Sequence, residues 1–459
     1  MNIVISGAGE VGKHLAKILA YDNHNITVID VSQSELQLLS LHLDILTIEG
    51  SALSISVLTQ AKVDECDLYI AVTHFPEMNV ASAVIAKQLG APQTIARVRN
   101  PELLEEKNVL LFKGMGIDSI IYPQALAADE ISKFIQQSAT REFFDFADGL
   151  LSLFVLKIDE TNDVVGKYLE EINGHSEDLE NFRVIAIKRN FSTIIPKGDE
   201  ICKPEDLVYI VSNKKGVKPM LDTFGKKKLA IDKIIILGGS RTGQATAKLL
   251  QNQFDVKLIE IDTRKAHKLA NSLDNTLIIN GDGRSTDLLV EEGVRNTDVF
   301  IATTGNSETN ILSCYLAKRI GVKRTIAEVE NMDYVSLAID IGIDTVINKK
   351  NIAANAIHKF TLGEKTEISS ARHLTQSEAQ ILEINVHGSM KVCKAPLSEI
   401  DFPDEAVIGG VVRKKNAFIA TGTTHIQDGD KVLVFCMPTA MNEVQKLFEK
   451  SKKSKNKES

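Results

Sequence analysis

Short runs of β-branched and other apolar residues alternate with amphipathic stretches in the first part of the chain. Between the first two runs, Leu15, Ile18 and Leu19 recur at helical spacing, which predicts a helix with one apolar face against a sheet. The alternation predicts a parallel sheet wrapped by helices. The predicted strands are NIVIS (2–6), ITVID (26–30), DILTIE (44–49), DLYIAVT (67–73) and TIARV (94–98).

The same pattern returns at an offset of 231 residues. Matching pairs at this offset include Ile3/Ile234, Gly7/Gly238, Gly12/Gly243, Asn79/Asn310 and the Thr-Ile-Ala runs at 94–96 and 325–327. Register held over about a hundred residues indicates a tandem duplication rather than a shared composition. The predicted strands of the second copy are KIIIL (233–237), VKLIE (256–260), TLIIN (276–280), DVFIATT (298–304) and TIAEV (325–329).

Each copy ends in a shorter segment whose strand-like runs and tight turns predict a small mixed α+β domain. The predicted strands are 151–158, 182–189 and 207–212 in the first segment and 379–386, 406–413, 416–422 and 431–436 in the second. We therefore predict Rossmann-like domains over 1–122 and 231–348, and small domains over 143–226 and 370–450. Helical linkers are predicted at Gln124–Gln137 and Asn351–Phe360.

Composition excludes several classes of function. Hydrophobic residues make up 44% of the chain and charged residues 25%, the balance of a globular protein with substantial cores. The net charge of −8 and the absence of Trp argue against general nucleic-acid binding. The opening segment predicts no signal peptide, and no apolar run approaches the ~18 residues of a membrane-spanning helix. Five scattered cysteines without a C-x-x-C pair indicate a reducing cytosol and no zinc site.

The first predicted strand runs directly into the glycine-rich turn Gly7–Gly12, which opens a helix. Gly7 is predicted to make the tight turn, Gly9 to admit a phosphate without a Cβ clash, and Gly12 to let the helix pack closely on the sheet. Asp30 ends the second strand, where it would accept hydrogen bonds from ribose hydroxyls and repel a 2′-phosphate. The turn therefore favours NAD(H) or another adenosine nucleotide over NADP. The structural alternative is a packing turn beside a chance acid.

The second copy keeps the first and third glycines of the turn, in Gly238–Gly243, but has Ser240 in place of the second. The serine Cβ narrows the approach of a diphosphate, although its hydroxyl and Arg241 are able to contact phosphate. Glu260 takes the place of Asp30. Both a second nucleotide site and a purely structural copy remain open.

Opposite charges mark the fifth strand of the two copies. Arg97 and Arg99 lie on one face of the first, where they are placed to contact phosphate or to pair with acids. Glu328 and Glu330 stand at the same places in the second copy. This reversal indicates that the two halves meet different partners or each other. A solvated charged face is the alternative.

Catalytic machinery is sparse in the sequence. Thr73 and His74 end the fourth predicted strand, at the crevice of a doubly wound sheet. His74 is the sole candidate base there, and the second copy has Gly305 in its place. Histidines do not cluster with carboxylates, and no G-x-S-x-G, Walker A or H-E-x-x-H motif is present. Nucleotide capture without catalytic groups, repeated in tandem, favours sensing over catalysis.

With this glycine turn, Asp30, A-V-T at 71–73, I-A-R-V-R at 95–99 and the duplicated plan, the chain resembles the TrkA family over nearly its whole length. These are cytosolic regulatory subunits of bacterial Trk potassium uptake systems. The resemblance implies two tandem RCK units in a homotetrameric ring beneath a membrane-embedded Trk channel subunit. It also implies a cytoplasmic location, peripheral at the inner face of the membrane, and control by NAD or NADH, or by ATP and ADP.

Family resemblance also implies a set of nucleotide-binding residues, with no catalytic and no metal-ligating group. They are Gly7, Ala8, Gly9, Glu10, Val11, Asp30, Thr73, His74, Arg97, Gly238, Gly239, Ser240, Arg241, Thr242, Glu260, Thr304 and Gly305. We expect the contacts of the first site to cross domains or subunits, with the Gln124–Gln137 helix as the mechanical link. Two other functions remain open: an NAD-dependent oxidoreductase, and an RCK regulator of another cation carrier.

Overall fold

A computed structural model of the chain describes most of its residues. They are 1–21, 24–136, 142–147, 149–172, 181–190, 192–196, 198–226, 230–331, 333–361, 368–374 and 377–449. Gln137, which ends the first predicted linker helix, lies outside the described residues, as does Lys450 at the end of the second predicted small domain.

The first copy begins with a parallel sheet wrapped by helices. Its strands, β1 to β6, are Asn2–Ser6, Asn25–Asp30, Leu46–Glu49, Leu68–Ala71, Thr94–Arg97 and Ser119–Ile121. Its helices, α1 to α6, are Glu10–Tyr21, Gln33–Ser40, Ile55–Gln60, Pro76–Leu89, Glu106–Gly114 and Pro123–Gln136. The strand order β3-β2-β1-β4-β5-β6 reverses between β1 and β4, where doubly wound sheets open a crevice. β6 adds to the five predicted strands, because three residues are too few to show a period.

An antiparallel sheet follows in the chain. Its strands, β7 to β11, are Glu142–Phe146, Leu151–Lys157, Phe182–Arg189, Ser192–Ile194 and Leu207–Asn213, in the order β10-β9-β11-β8-β7. The helices α7 and α8 are Leu169–Ile172 and Val217–Thr223. The sheet therefore has two strands, β7 and β10, beyond the three that the sequence predicts.

The second copy repeats the parallel sheet. Its strands, β12 to β17, are Lys233–Leu237, Asp255–Glu260, Thr276–Asn280, Val299–Ala302, Arg324–Glu328 and Thr345–Ile347. Its helices, α9 to α14, are Arg241–Leu250, Thr263–Ala270, Thr286–Glu291, Ser307–Ile320, Asp333–Asp340 and Lys349–Thr361. The order β14-β13-β12-β15-β16-β17 is that of the first copy. Shared order and parallel pairing follow from the duplicated sequence.

A second antiparallel sheet completes the chain. Its strands, β18 to β22, are Ile368–His373, Gln380–Asn385, Ala406–Arg413, Asn416–Ile419 and Lys431–Cys436, and α15 is Met441–Leu447. The order is β18-β19-β22-β20-β21. The predicted fold class, two Rossmann-like domains each followed by a small α+β domain, is confirmed. No helix among the described residues is long and apolar enough to cross a membrane.

The four sheets form two compact units, and each unit contains two sheets of the same kind, one from each copy. Unit 1 consists of Met1–Ser132 and Asp232–Thr361, so it holds both parallel sheets. Unit 2 consists of Lys133–Ile231 and Leu362–Ser459, so it holds both antiparallel sheets.

Unit 1 has a hydrophobic core that the two copies share. One face of the first sheet, including Ile5 and Ile70, is covered by α1 and by α14 of the second copy. Ala353 and Ile357 of α14 are fully buried in this core. The apolar face of α14 therefore replaces a helix that the first copy does not supply, and the two copies stabilise each other.

Unit 2 has a second shared core, between the faces of the two antiparallel sheets. Tyr209 and Phe435 meet across it with ring centroids 5.9 Å apart. On β20, a Cβ at Gly409 would lie 2.9 Å from Val211, and a Cβ at Gly410 would lie 2.9 Å from Leu151. These glycines therefore let the two sheets approach closely.

Replacing Ile357 by Ala tests the cross-copy core. We expect a loss of about 2–5 kcal/mol, because a fully buried aliphatic side chain is removed and leaves a cavity. The measurement is the urea unfolding midpoint of the full chain. Leu337→Ala, at a side chain that is 51% exposed, is the matched control and should stay within about 0.5 kcal/mol of wild type. Equal effects of the two changes would contradict the packing of α14 on the first copy.

Candidate functional site

Two glycines of the first turn are required by its backbone. Gly7 has a φ of +111°, and a Cβ there would lie 2.8 Å from the amide nitrogen of Thr73. A Cβ at Gly12 would lie 1.8 Å from the carbonyl oxygen of Gly7. The turn thus brings the end of β1, the start of α1 and the end of β4 together, which places the first turn of α1 at the crevice.

Unlike Gly7, Gly9 has a φ outside the left-handed region. A Cβ there would meet the ring of His74 at 3.3 Å, so the imidazole lies directly over the turn. Asp30 holds the turn from the other side: its carboxylate accepts the N–H of Ala8 at 2.6 Å and the N–H of Ser32 at 2.9 Å. The first amides of α1 have no acceptor within their own helix, which suits this turn to an anion.

The turn of the second copy is closed by its own side chains. Ser240 caps α9 by accepting the N–H of Gly243 at 3.2 Å, so one amide at the start of the helix is already used. Glu260 is only 5% exposed, and it accepts the N–H of Gly239 at 2.9 Å and pairs with Lys265 at 2.7 Å. Although burial opposes ionisation, the hydrogen bonds with Lys265 and Asp262 lower the pKa of Glu260. A ribose would have to displace this pairing.

A cavity of about 370 Å³ opens beside the first turn, within unit 1. Residues of both copies line it: Gly9, Glu10, Val11, Val72, His74, Arg97, Arg99, Pro123, Gln124, Arg241, Glu330, Lys349 and Lys350. Five of these side chains are cationic and two are carboxylates, which leaves an excess of positive charge when His74 is neutral. The buried Oε1 of Gln124 has no hydrogen-bond partner among the described residues. The cavity is therefore suited to a ligand with several negative charges.

Two of the five cations, both of them lysines, already form ion pairs with carboxylates. Lys349, at the start of α14, pairs with Glu328 at 2.8 Å and with Glu330 at 2.6 Å. Lys350 pairs with Glu10 of the first copy. Burial alone would lower the pKa of Lys349, but the charges and hydrogen bonds of its two carboxylate partners raise it. Lys349 is thus held in its charged form at this edge of the cavity.

The remaining three cations are arginines: Arg97, Arg99 and Arg241. Among the described residues, none of them has an ion-pair partner. Burial and the neighbouring Arg99 lower the pKa of Arg97, and Glu330 offsets this in part. Lys349 holds the carboxylates of both Glu328 and Glu330. The predicted complementarity between the arginine strand and these glutamates is therefore limited to a long-range attraction. Unpaired arginines beside an amide-rich turn are the arrangement expected for phosphate.

Thr73 has a structural role at the end of β4. Its N–H and its hydroxyl both donate to Oδ1 of Asn79, at 2.8 and 2.6 Å, and Asn79 in turn donates to the carbonyl of Arg97. Thr304 and Asn310 repeat this arrangement in the second copy, at 2.9 and 2.6 Å. The match between Asn79 and Asn310 in the sequence is the pattern that indicated this hydrogen-bonded arrangement.

Of the predicted site residues, the structure brings six together in the cavity. They are Gly9, Glu10, Val11, His74, Arg97 and Arg241. Gly7, Ala8, Asp30 and Thr73 shape the first turn, while Gly238, Gly239, Ser240, Thr242, Glu260 and Thr304 belong to the second turn and its surroundings. Gly305 lines an adjoining cleft of about 1100 Å³, which shares Glu10, Glu330 and Lys350 with this cavity. The sequence analysis did not predict Lys349 and Lys350 as cavity residues. The pattern that could have indicated them is a lysine pair at the place where the first copy has Pro123 and Gln124.

Four of the five cysteines have the properties of core residues. Cys66, Cys202, Cys314 and Cys436 are buried, and desolvation raises the pKa of the Cys66 thiol to about 12. Within the described ranges, no group of three or more His, Cys, Asp or Glu side chains is arranged to hold a metal ion.

Solved structures with a similar fold are RCK proteins. The structure titled GsuK channel bound to NAD matches with a TM-score of 0.59 at 16% identity, covering 97% of this chain and 78% of that chain. The crystal structure of the GsuK RCK domain matches with a TM-score of 0.58 at 16% identity, covering 97% and 94%. The chain therefore shares the fold of these two structures.

Sequence comparison defines the family. The TrkA-N domain model matches residues 3–123 and again 234–349, and the TrkA-C domain model matches 381–449. The chain is 32% identical to the Trk system potassium uptake protein TrkA of Vibrio alginolyticus, over 98% of this chain and 99% of the relative. It is 31% identical to the protein of the same name from Halomonas elongata, over 98% and 99%. The chain belongs to the TrkA family.

His14, on α1, gives the contact with α14 a pH dependence. Burial is the main cause that lowers the pKa of His14 below 6.5, against a hydrogen bond with Asn351 that raises it. The unfolded chain then binds the proton more readily, so the stability from neutral His14 is present above the unfolded pKa and is lost as the pH falls through the folded value. We expect the thermal midpoint to fall less between pH 7.5 and pH 5.5 in His14→Gln than in wild type. Parallel curves would contradict this.

Proposed function

We propose that the chain is a cytoplasmic, nucleotide-responsive regulatory subunit of a Trk-type potassium uptake system, peripheral at the inner face of the membrane. Support comes from family membership, from relatives named Trk system potassium uptake proteins that match over 98% of the chain, and from the tandem RCK fold. In this proposal the subunit forms a homotetramer that gates a membrane-embedded Trk channel subunit.

The observation that carries the ligand assignment is the cavity beside Gly9, where a glycine turn and three unpaired arginines converge. A phosphate group placed there would meet amides of α1 and guanidinium groups of both copies. Asp30, half-exposed at the end of β2, keeps free lone pairs on its carboxylate for ribose hydroxyls. The ligand class is therefore an adenosine nucleotide with a diphosphate: NAD, NADH, ADP or ATP.

We propose that each chain binds one nucleotide, at the first copy. The second turn supports this proposal because Ser240 occupies an amide that a phosphate would use, and Lys265 neutralises the acid that would bind ribose. Arg241 of that turn instead lines the cavity of the first site. The second copy then acts as a wall of the first site.

Binding without chemical conversion is the expected role of the site. His74 is the candidate base in the cavity, because the two carboxylates of the lining, Glu10 and Glu330, are held in ion pairs by Lys350 and Lys349. Steady consumption of NADH by the purified chain with a metabolite extract would instead support an oxidoreductase.

Replacing Gly9 by Asp tests the binding site. We expect affinity for NADH and ADP to fall at least about 100-fold, because the new carboxylate would oppose the phosphate at close range. Ser240→Asp is the matched control: it places the same side chain at the equivalent position of the second turn, where Asp is a good helix cap, and should leave affinity unchanged. Calorimetry measures both affinity and the expected stoichiometry of one. Equal losses in the two variants would contradict a single open site.

Potassium transport provides the functional readout for the same pair. In cells that lack their own TrkA, Gly9→Asp should leave potassium uptake unresponsive to the nucleotide level, while Ser240→Asp should behave as wild type. Normal abundance of both variants shows that they are folded. Recovery of a different cation carrier with the tagged chain from membranes would support the alternative RCK regulator.

Arg241→Ala tests the contribution of the second copy. We expect ADP affinity to fall roughly tenfold, since one charge-assisted contact to phosphate is lost. Arg284→Ala removes a 63% exposed arginine of the same copy, outside the cavity, and should have no effect. An unchanged affinity in Arg241→Ala would show that the first site is complete without the second copy.

A further inference from the structure

The pair between Glu10 and Lys350 joins the glycine turn to the helix that ends unit 1. Glu10 is the first residue of α1, and its side chain is 66% exposed, whereas that of Lys350 is only 13% exposed. Both line the cavity proposed to receive the phosphate. The hydrogen bond from Lys350 is the main cause that lowers the pKa of Glu10, with smaller effects from Lys13 and His74. A carboxylate is thus fixed in its charged form beside the turn.

The start of α14 is held by two ion pairs of different kinds. Lys349 is clamped to its own copy by Glu328, which is 2% exposed, and by Glu330. Lys350 reaches the other copy through one largely solvent-exposed carboxylate. An exposed pair is worth far less than a buried one, so the Lys350 contact is the exchangeable one.

Among the residues that the structure describes, the second turn has no equivalent ionic link. Arg241 stands at the position of Glu10, and Gln124 of α6 stands at the position of Lys350, which places a cation opposite a neutral amide. The ionic link from turn to helix therefore exists at the turn that is open to phosphate, and not at the turn that Ser240 closes. A bond serving only to join the two copies would be expected at both places.

We propose that the carboxylate of Glu10 and the phosphate of a bound nucleotide compete for the ammonium group of Lys350. This inference rests on the proposed function and adds a regulatory role for the two residues. Glu10 lowers affinity in two ways, by repelling the phosphate and by occupying Lys350. When the phosphate binds Lys350, the start of α14 loses its ion pair with Glu10. Along the chain, α14 is followed directly by the second segment of unit 2.

Glu10→Gln is the first test, with ADP as the probe in calorimetry of the full chain. We expect ADP to bind about 2- to 5-fold more tightly, the size expected for removing one partly exposed charge interaction. Glu65→Gln is the matched control, because Glu65 is 61% exposed and pairs with Lys62 at 3.0 Å, away from the cavity. It should leave the affinity unchanged. Weaker or unchanged binding in Glu10→Gln would overturn the proposal.

A double-mutant cycle separates competition from simple repulsion. Lys350→Met should weaken ADP binding, and Lys350→Arg, which keeps the charge, should restore it. Competition predicts that Glu10→Gln tightens binding less when Lys350 is already replaced by Met, since no ammonium remains to be released. An equal gain in both backgrounds would show repulsion alone and would overturn the proposal.

Hydrogen exchange of residues 349–361 reports the change of partner itself. In wild type, ADP should change the hydrogen-exchange rates at the start of α14. In Lys350→Met, saturating ADP should leave these exchange rates unchanged. A purely structural Lys350 would instead give the same ADP response in both. Failure of wild type to bind any adenosine nucleotide would overturn the proposed function, whereas normal binding that is insensitive to Glu10 would overturn this inference alone.

Discussion

Burial of α14 in the core of the first sheet is the interaction on which the architecture of unit 1 depends. Ile357 and its neighbours cover strands that belong to the other copy, so the core of the first parallel sheet is not complete without its partner. Because α14 starts at Lys349, this packing also carries two lysines to the edge of the first glycine turn. Hydrophobic burial is non-directional, but here it determines which charged side chains lie next to one another.

The two copies of the duplicated sequence contribute different residues to one cavity. The first turn has no side chain at Gly9, where the imidazole of His74 lies over it, while the second uses Ser240 and Glu260 to satisfy its own backbone. Arginines at 97 and 99 face a partner whose corresponding glutamates are held by Lys349. A symmetric pair of sites would place like charges across the cavity, and the reversal of charge between copies avoids that repulsion.

Unit 2 follows the same rule by different means. Two antiparallel sheets, each with one face on its own helices, bury their remaining faces against each other. Close approach is achieved by Gly409 and Gly410, where any side chain would meet Val211 or Leu151. Both units thus pair equivalent segments of the two copies, because apolar faces of the two copies are buried against each other.

The amino-acid sequence by itself determined the elements and the chemistry of the turn. Period-two and period-3.6 patterns predicted the long strands and helices, and the glycine spacing with Asp30 predicted a turn whose Gly7 and Gly12 have no room for a side chain. Short strands such as Ser119–Ile121 escaped because three residues show no period. Only the tertiary structure decided that Arg241, Lys349 and Lys350 line the first cavity. Glu10 and Lys350 are 340 residues apart, and such contacts arise from packing between copies, which no local pattern encodes.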